Sequence, residues 1–175
     1  LKEGLDETVV KSALERFNLI PGRLERINCR RDFLVFVDYA HTEDALTNAI
    51  KTLRQISGNK IIVVFGCGGE RDKTKRPKMG YAASELADYA IITSDNPRSE
   101  DPQKIIEDIR KGIRKNNYCI IPDRKDAIRK SLSLAKPGDV VLIAGKGHEH
   151  NQILKDKTIH FDDREAVKEC LESMN

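Results

Sequence analysis

Five short apolar runs, each followed by a polar loop and then an amphipathic stretch, constrain the fold more than any other feature. They are FLVFV (33–37), IIVVF (61–65), YAIIT (89–93), YCII (118–121) and VVLIA (140–144). Near-continuous apolar runs of this length mark strands buried on both faces. Residues 43–56 place Ala45, Leu46, Ala49, Ile50 and Leu53 at helical spacing. Residues 77–87 and 102–115 open on Pro77 and Pro102, which suit a first helical turn. Residues 124–135 and 163–173 supply two more helices, the last after an edge strand predicted at 158–161. Residues 6–16 read as a separate helix, and Pro21-Gly22 as a break marking a linker. The alternation predicts an α/β fold: a Rossmann-like, mostly parallel sheet with helices on both faces. Right-handed crossovers then gather the strand-to-helix loops along one rim, where open α/β sheets bind ligands.

A chain of 175 residues makes one ordinary domain rather than two large ones. Only 5% of it is aromatic, so aliphatic side chains must build the core. A net charge of +3 with both signs interspersed is too small for a nucleic-acid surface and fits anionic small molecules. Cys29, Cys67, Cys119 and Cys170 are far apart, with no C-x-x-C pair, and read as reduced thiols. No apolar run approaches the roughly 18 residues of a membrane span. A start at Leu1 rather than Met reads as a piece of a longer protein.

The loops after the five runs carry the polar chemistry. Asp38 and His41 follow the first run. Asp38 suits a ribose hydroxyl or a metal-bound water and His41 a phosphate, or else both belong to a helix cap built by Thr42 and Asp44. GCGGERDK (66–73) resembles a phosphate cradle, but Arg71 stands where the dinucleotide fingerprint needs its third glycine. No G-x-x-x-x-G-K-[ST] occurs, so the chain has no P-loop. Arg71, Lys73, Lys75, Arg76 and Lys78 form either an anion site or a solvated basic loop. In Asp95-Asn96-Pro97-Arg98, Pro97 fixes the turn and Arg98 offers a planar fork to a carboxylate. Asp95 and Asn96 offer acceptors to an ammonium, unless the tetrapeptide is only a turn. Gly145-Lys146-Gly147-His148-Glu149 is a tight turn in which Glu149 suits a substrate ammonium. His148, His150 and His160 make a poor metal set.

The ordered runs VDYAHTEDAL, FGCGGERDKTKRPKMG, SDNPRSEDP and AGKGHEHNQ resemble the C-terminal domain of Mur ligases, specifically the branch that adds the third residue of the peptidoglycan peptide. The resemblance runs from about residue 21 to the end. It implies that residues 1–20 are the tail of a preceding central domain and 21–175 the third domain of a cytoplasmic, monomeric enzyme. The implied reaction is ATP-dependent amide formation between UDP-muramoyl-dipeptide and meso-diaminopimelate. ATP, Mg2+ and the P-loop would belong to the central domain, leaving no catalytic or metal-binding residue here. Carried over residue by residue, Arg71, Asp95, Asn96, Pro97, Arg98, Gly145 and Glu149 are implied to hold diaminopimelate. Arg23, Asp38, Tyr39 and His41 are implied to lie near the nucleotide. The D-N-P-R form resembles the diaminopimelate-using ligases, and lysine lacks the carboxylate that would satisfy Arg98.

Three alternatives compete. A folylpolyglutamate synthase would be a sister ligase, against which D-N-P-R together with G-K-G-H-E argue. A flavodoxin-like receiver would use Asp38, Asp95 and Lys146 but gives the Gly-rich loop no role. A Rossmann-like domain with no site leaves five polar loops unexplained.

Overall fold

The computed structural model describes residues 6–16 and 20–174, without the side chains of 13–16. The elements run α1 (Glu7–Arg16), β1 (Glu25–Ile27), β2 (Leu34–Asp38), α2 (Glu43–Ile56), β3 (Ile61–Phe65), α3 (Lys75–Leu86) and β4 (Tyr89–Ile92). They continue α4 (Pro102–Arg110), β5 (Tyr118–Ile120), α5 (Arg124–Leu134), β6 (Val140–Ala144), β7 (Asn151–Ile153), β8 (Thr158–His160) and α6 (Asp163–Ser173). Six strands form one sheet in the order β1-β2-β6-β3-β4-β5, parallel except for β1.

The last parallel strand, β6, sits between the first two. The chain therefore passes over β6 from β2 to β3, steps outward through β4 to β5, and returns. With right-handed crossovers the outward helices cover one face and the returning helices the other. The cores agree. Leu46, Ile50 and Leu53 of α2, Met79 of α3 and Ile105, Ile106 and Ile109 of α4 pack on Phe36, Val63, Phe65 and Leu142. Ala127, Ile128 and Leu132 of α5 and Ala166, Val167 and Cys170 of α6 pack on Val35, Val37, Val64, Val141 and Ile143. Alternate residues of one strand thus serve opposite cores, as the period of two requires. Leu142 lies in the central strand with no exposed surface, and its truncation to Ala costs about 2–5 kcal/mol.

The α/β class, the five parallel strands and the helices on both faces match the sequence expectation. Three details differ. The helix expected to reach residue 115 stops at Arg110, because Gly112 lies against α3: a Cβ there would stand 1.7 Å from the Pro77 carbonyl. The strand expected at 158–161 is not on the main sheet; β8 pairs only with β7 as an antiparallel hairpin. The three-residue edge strand β1 was too short to show any periodicity. Residues 1–5 and 17–19 of the expected tail, and Asn175, lie outside the described residues. No described helix is long and apolar enough to cross a membrane.

Candidate functional site

All five parallel strands end at one rim, and over it lies a cleft of about 360 Å³. The loop after β2 contributes Tyr39, His41 and Thr42, and the loop after β3 contributes Gly68, Arg71, Asp72 and Lys75. Asp95, Asn96 and Arg98 come from the loop after β4, and Gly145 and Glu149 from the loop after β6. The fifth loop, after β5, lines none of it. That loop lies on the far side of β4, where Pro122 accepts from Ser94 N (3.2 Å) and Asp123 caps α5. A larger hollow of about 480 Å³ lies between the β1–β2 connection and α6, and none of the sequence-predicted site residues lines it.

Eight of the eleven expected residues meet in this cleft: Arg71, Asp95, Asn96, Arg98, Gly145, Glu149, Tyr39 and His41. Pro97 is buried behind them, against Gly69, where a Cβ would stand 2.0 Å from the Pro97 carbonyl. The Arg23 guanidinium stacks 5.0 Å over the Tyr39 ring, beside the cleft. Asp38 is buried, and its two oxygens accept from Leu24 N (2.6 Å) and Ala40 N (2.7 Å). That carboxylate braces the backbone on which Arg23 and Tyr39 stand. Tyr39 also touches His41 and His148, with ring centroids 4.7 and 5.4 Å away. Thr42 caps α2 by accepting from Ala45 N, as the sequence suggested.

The basic loop divides its cations. Arg71 and Lys75 border the cleft. Lys73 instead pairs with Glu100 at 3.4 Å, and Arg76 is 1% exposed. Arg76 binds Glu100 and Asp108 and donates to the Gly68 carbonyl, and Glu100 in turn accepts from Glu70 N at 2.6 Å. That backbone bond, opposed by desolvation and aided by Arg76, holds the Glu100 carboxyl below its usual range. Arg76 is therefore the strut under the glycine turn and not an anion-binding cation. Cys67, at the start of the turn, is buried and its thiol is pushed up to about 12, which makes it inert.

The loop after β4 is held from three sides. Gly69 N donates to the Asn96 carbonyl (2.9 Å), Gln152 Nε2 to the Asp95 carbonyl (2.7 Å), and Arg98 N to the Ile153 carbonyl (3.0 Å). The β7–β8 hairpin, whose first strand the sequence did not reveal, is thus a brace for the site. The Gly145 conformation has φ +118, and a Cβ there would stand 2.6 Å from Asp95 Oδ2. Only glycine combines that backbone with that approach. The side-chain oxygen of Asn96 is not the free acceptor the sequence suggested, because Oδ1 already accepts from Ile153 N (3.0 Å) and Lys146 Nζ (3.2 Å). Its amide nitrogen faces Glu149 instead, at 2.8 Å.

Lys146 lies fully buried beneath the cleft, whereas the sequence offered it only as the cation of a tight turn or of a receiver site. Beneath the same rim Arg124 and Asp163, both fully buried, pair at 2.7 Å, and Arg124 donates to the Ala144 and Ser94 carbonyls. The ends of β6 and β4 are thereby pinned together. Among the described residues no three His, Cys, Asp or Glu stand together as a metal site. The sheet order also differs from the flavodoxin-like order of a receiver, and Lys146 is sealed from solvent. The receiver alternative has no geometry to support it.

Comparison with known proteins agrees with this geometry. Residues 22–147 match the family described as Mur ligase, glutamate ligase domain. The chain is 51% identical over 99% of its length to the UDP-N-acetylmuramoyl-L-alanyl-D-glutamate–2,6-diaminopimelate ligase of Clostridium tetani, and 53% identical over 96% to that of Trichormus variabilis. It spans about a third of the length of those relatives, 36% and 34%. A solved structure of a ligase of the same name superposes with TM-score 0.83 at 40% identity, covering 99% of this chain and 36% of that one. A folylpolyglutamate synthase of Mycobacterium tuberculosis shares the fold alone, at TM-score 0.61 and 21% identity, covering 81% of this chain and 33% of that one.

Proposed function

The chain belongs to the Mur ligase family, and on that premise we propose that it is the C-terminal, amino-acid-binding domain of the ATP-dependent ligase joining meso-diaminopimelate to UDP-N-acetylmuramoyl-L-alanyl-D-glutamate. Residues 1–20 are then the tail of a preceding domain, and 21–175 the third domain of a monomeric, cytoplasmic enzyme. The observation that carries this reading is the composition of the cleft. Arg71, Lys75 and Arg98 face Asp95 and Glu149 across one small volume. That set complements a molecule bearing both carboxylates and ammonium groups, and diaminopimelate bears two of each.

In the proposed reaction the D-glutamyl γ-carboxylate attacks the γ-phosphorus of ATP, and ADP leaves. The diaminopimelate amine attacks the resulting acyl phosphate, loses its proton, and phosphate departs from the tetrahedral intermediate. This domain supplies orientation. Holding an amine in line with an acyl phosphate contributes toward a ceiling of about 7–11 kcal/mol for an ideally aligned pair. Arg98 and Arg71 hold the amino acid's carboxylates, and Asp95 and Glu149 its non-reacting ammonium. Tyr39 and His41 on the cleft wall, with Arg23 stacked on Tyr39 beside it, suit a nucleotide, with Asp38 fixing the backbone at Leu24 and Ala40. ATP and magnesium would be held mainly by the preceding domain.

The test is product identity. The full-length polypeptide carrying this chain, given ATP, Mg2+, UDP-muramoyl-dipeptide and meso-diaminopimelate, is expected to yield a UDP-muramoyl-tripeptide whose mass includes diaminopimelate. Absence of that amide overturns the proposal.

A further inference from the structure

The Lys146 ammonium has no exposed surface, although it lies just beneath the cleft. A buried ammonium is costly unless each of its three protons finds an acceptor. Here they do: Asn96 Oδ1 at 3.2 Å, Glu149 Oε2 at 3.1 Å and the Asn151 carbonyl at 2.5 Å. An apolar residue of similar volume would fill this space at no loss of stability in many proteins. What the cation does that an apolar residue could not is orient its acceptors.

The bonds determine one another. Asn96 Oδ1 accepts from Lys146 Nζ and from Ile153 N, which uses both lone pairs. The side-chain amide cannot flip, and Nδ2 must donate to Glu149 Oε2, at 2.8 Å. Oε2 then holds two donors, from Asn96 and Lys146. Glu149 Oε1 has no donor among the described residues, and the side chain, 34% exposed, borders the cleft. One oxygen is anchored and the other is presented.

We propose that Lys146 is a positioning residue for amino-acid recognition, fixing Asn96 and Glu149 so that Glu149 Oε1 stands at the cleft as the acceptor for a substrate ammonium. This rests on the amino-acid-binding reading of the cleft. It goes further by assigning the ammonium to one oxygen and its orientation to a residue that touches no ligand. Lys146 also offsets the charge that Glu149 would otherwise set against Asp95, the second carboxylate of the cleft.

The test is a double-mutant cycle in the full-length enzyme, with Lys146→Met, Glu149→Gln and the pair. Lys146→Met is expected to raise KM for meso-diaminopimelate about tenfold or more, the scale of a lost charge-assisted hydrogen bond. KM for ATP is expected to stay within about twofold. In the Glu149→Gln background, Lys146→Met is expected to add little, because Lys146 acts through Glu149. Additive effects overturn the proposal, as does an equal rise in KM for ATP, which marks general loosening of the domain. Should Lys146→Met not fold, Lys146→Gln, which keeps a donor without the charge, takes its place in the cycle, and the same two results support or overturn the proposal. Wild-type enzyme inert toward diaminopimelate refutes the reading of the cleft. Active wild type with an unchanged KM in the folded Lys146 variant refutes only the role of Lys146.

Discussion

Arg98 Nη1 donates to the Gly69 carbonyl at 2.8 Å, so the arginine reaches from the loop after β4 into the glycine turn after β3. Arg98 itself sits at φ +53, and its backbone N–H is held by Ile153. Arg98 is therefore held at both ends, by its backbone N–H and by one guanidinium nitrogen. Nε and Nη2 hold no acceptor among the described residues, and Arg98 borders the cleft. A half-tethered fork is a pre-oriented receptor for a carboxylate, since the entropy of ordering the side chain has been met before binding.

Removing that fork should change selectivity as well as affinity. Arg98→Ala is expected to raise KM for meso-diaminopimelate by about tenfold or more and to narrow the preference over lysine, expected on the order of 10⁴-fold where a site is built around such a bond. Arg98→Lys is expected not to restore it, because a point charge lacks the paired donors. Steady-state kinetics with both amino acids on the full-length enzyme decides; unchanged selectivity in Arg98→Ala removes the carboxylate role.

The sealed pair Arg124–Asp163 makes a prediction about stability. Burial alone would favour a neutral guanidinium, and the adjacent Asp163 carboxylate reverses this and raises the Arg124 pKa. Asp163→Ala leaves a buried cation with no counter-charge and is expected to cost about 3–5 kcal/mol in urea unfolding. Arg124→Met with Asp163→Leu is expected to cost clearly less. If the single and double variants lose the same stability, the pair's charge is not what the fold depends on.

Acid sensitivity should trace to Asp162. This buried residue caps α6 by accepting from Arg164 N at 2.8 Å. Burial opposes its ionisation, but the hydrogen bonds and charge of Arg164, with His150 beyond, hold its pKa down at about 2 against an ordinary 3.8. A folded-state pKa below the unfolded one stabilises above the unfolded value and loses that stabilisation as pH falls toward the folded value. The contribution is therefore intact above about pH 4 and declines from there toward pH 2. Asp162→Asn keeps a capping oxygen but loses the charge that binds Arg164, and is expected to lower stability at pH 7 by about 1–2 kcal/mol and to flatten this acid limb. Thermal melts from pH 2 to pH 7 check it, and parallel acid limbs in variant and wild type exclude Asp162 as the source.

Much of the site was legible because a parallel sheet turns sequence order into spatial convergence. Once the apolar runs were strands, the loops holding Tyr39, Arg71, Asp95, Arg98 and Glu149 had to meet at one rim, and they do. The loop after β5 was expected there too and falls short, since the lateral order of strands is not written in their hydrophobicity. That order arises from β6 inserting between β2 and β3. Residue types did not reveal which polar groups were already engaged. Asn96 and Asp38 looked like acceptors for a ligand, yet both satisfy groups of the protein itself. Arg76 looked like one more cation of a basic loop, and it is buried beneath that loop. Strand β7 went unseen, and β8 was expected at the edge of the main sheet, because three-residue strands with exposed alternate positions carry almost no periodic signal.

The most direct measurement is phosphate release by the full-length enzyme with ATP and UDP-muramoyl-dipeptide, adding meso-diaminopimelate or L-lysine in turn. Release that depends on diaminopimelate and is orders of magnitude weaker with lysine is the expected result, and it follows from Arg98 requiring a distal carboxylate. Equal release with lysine would contradict the assignment of the cleft to an amino acid carrying that second carboxylate.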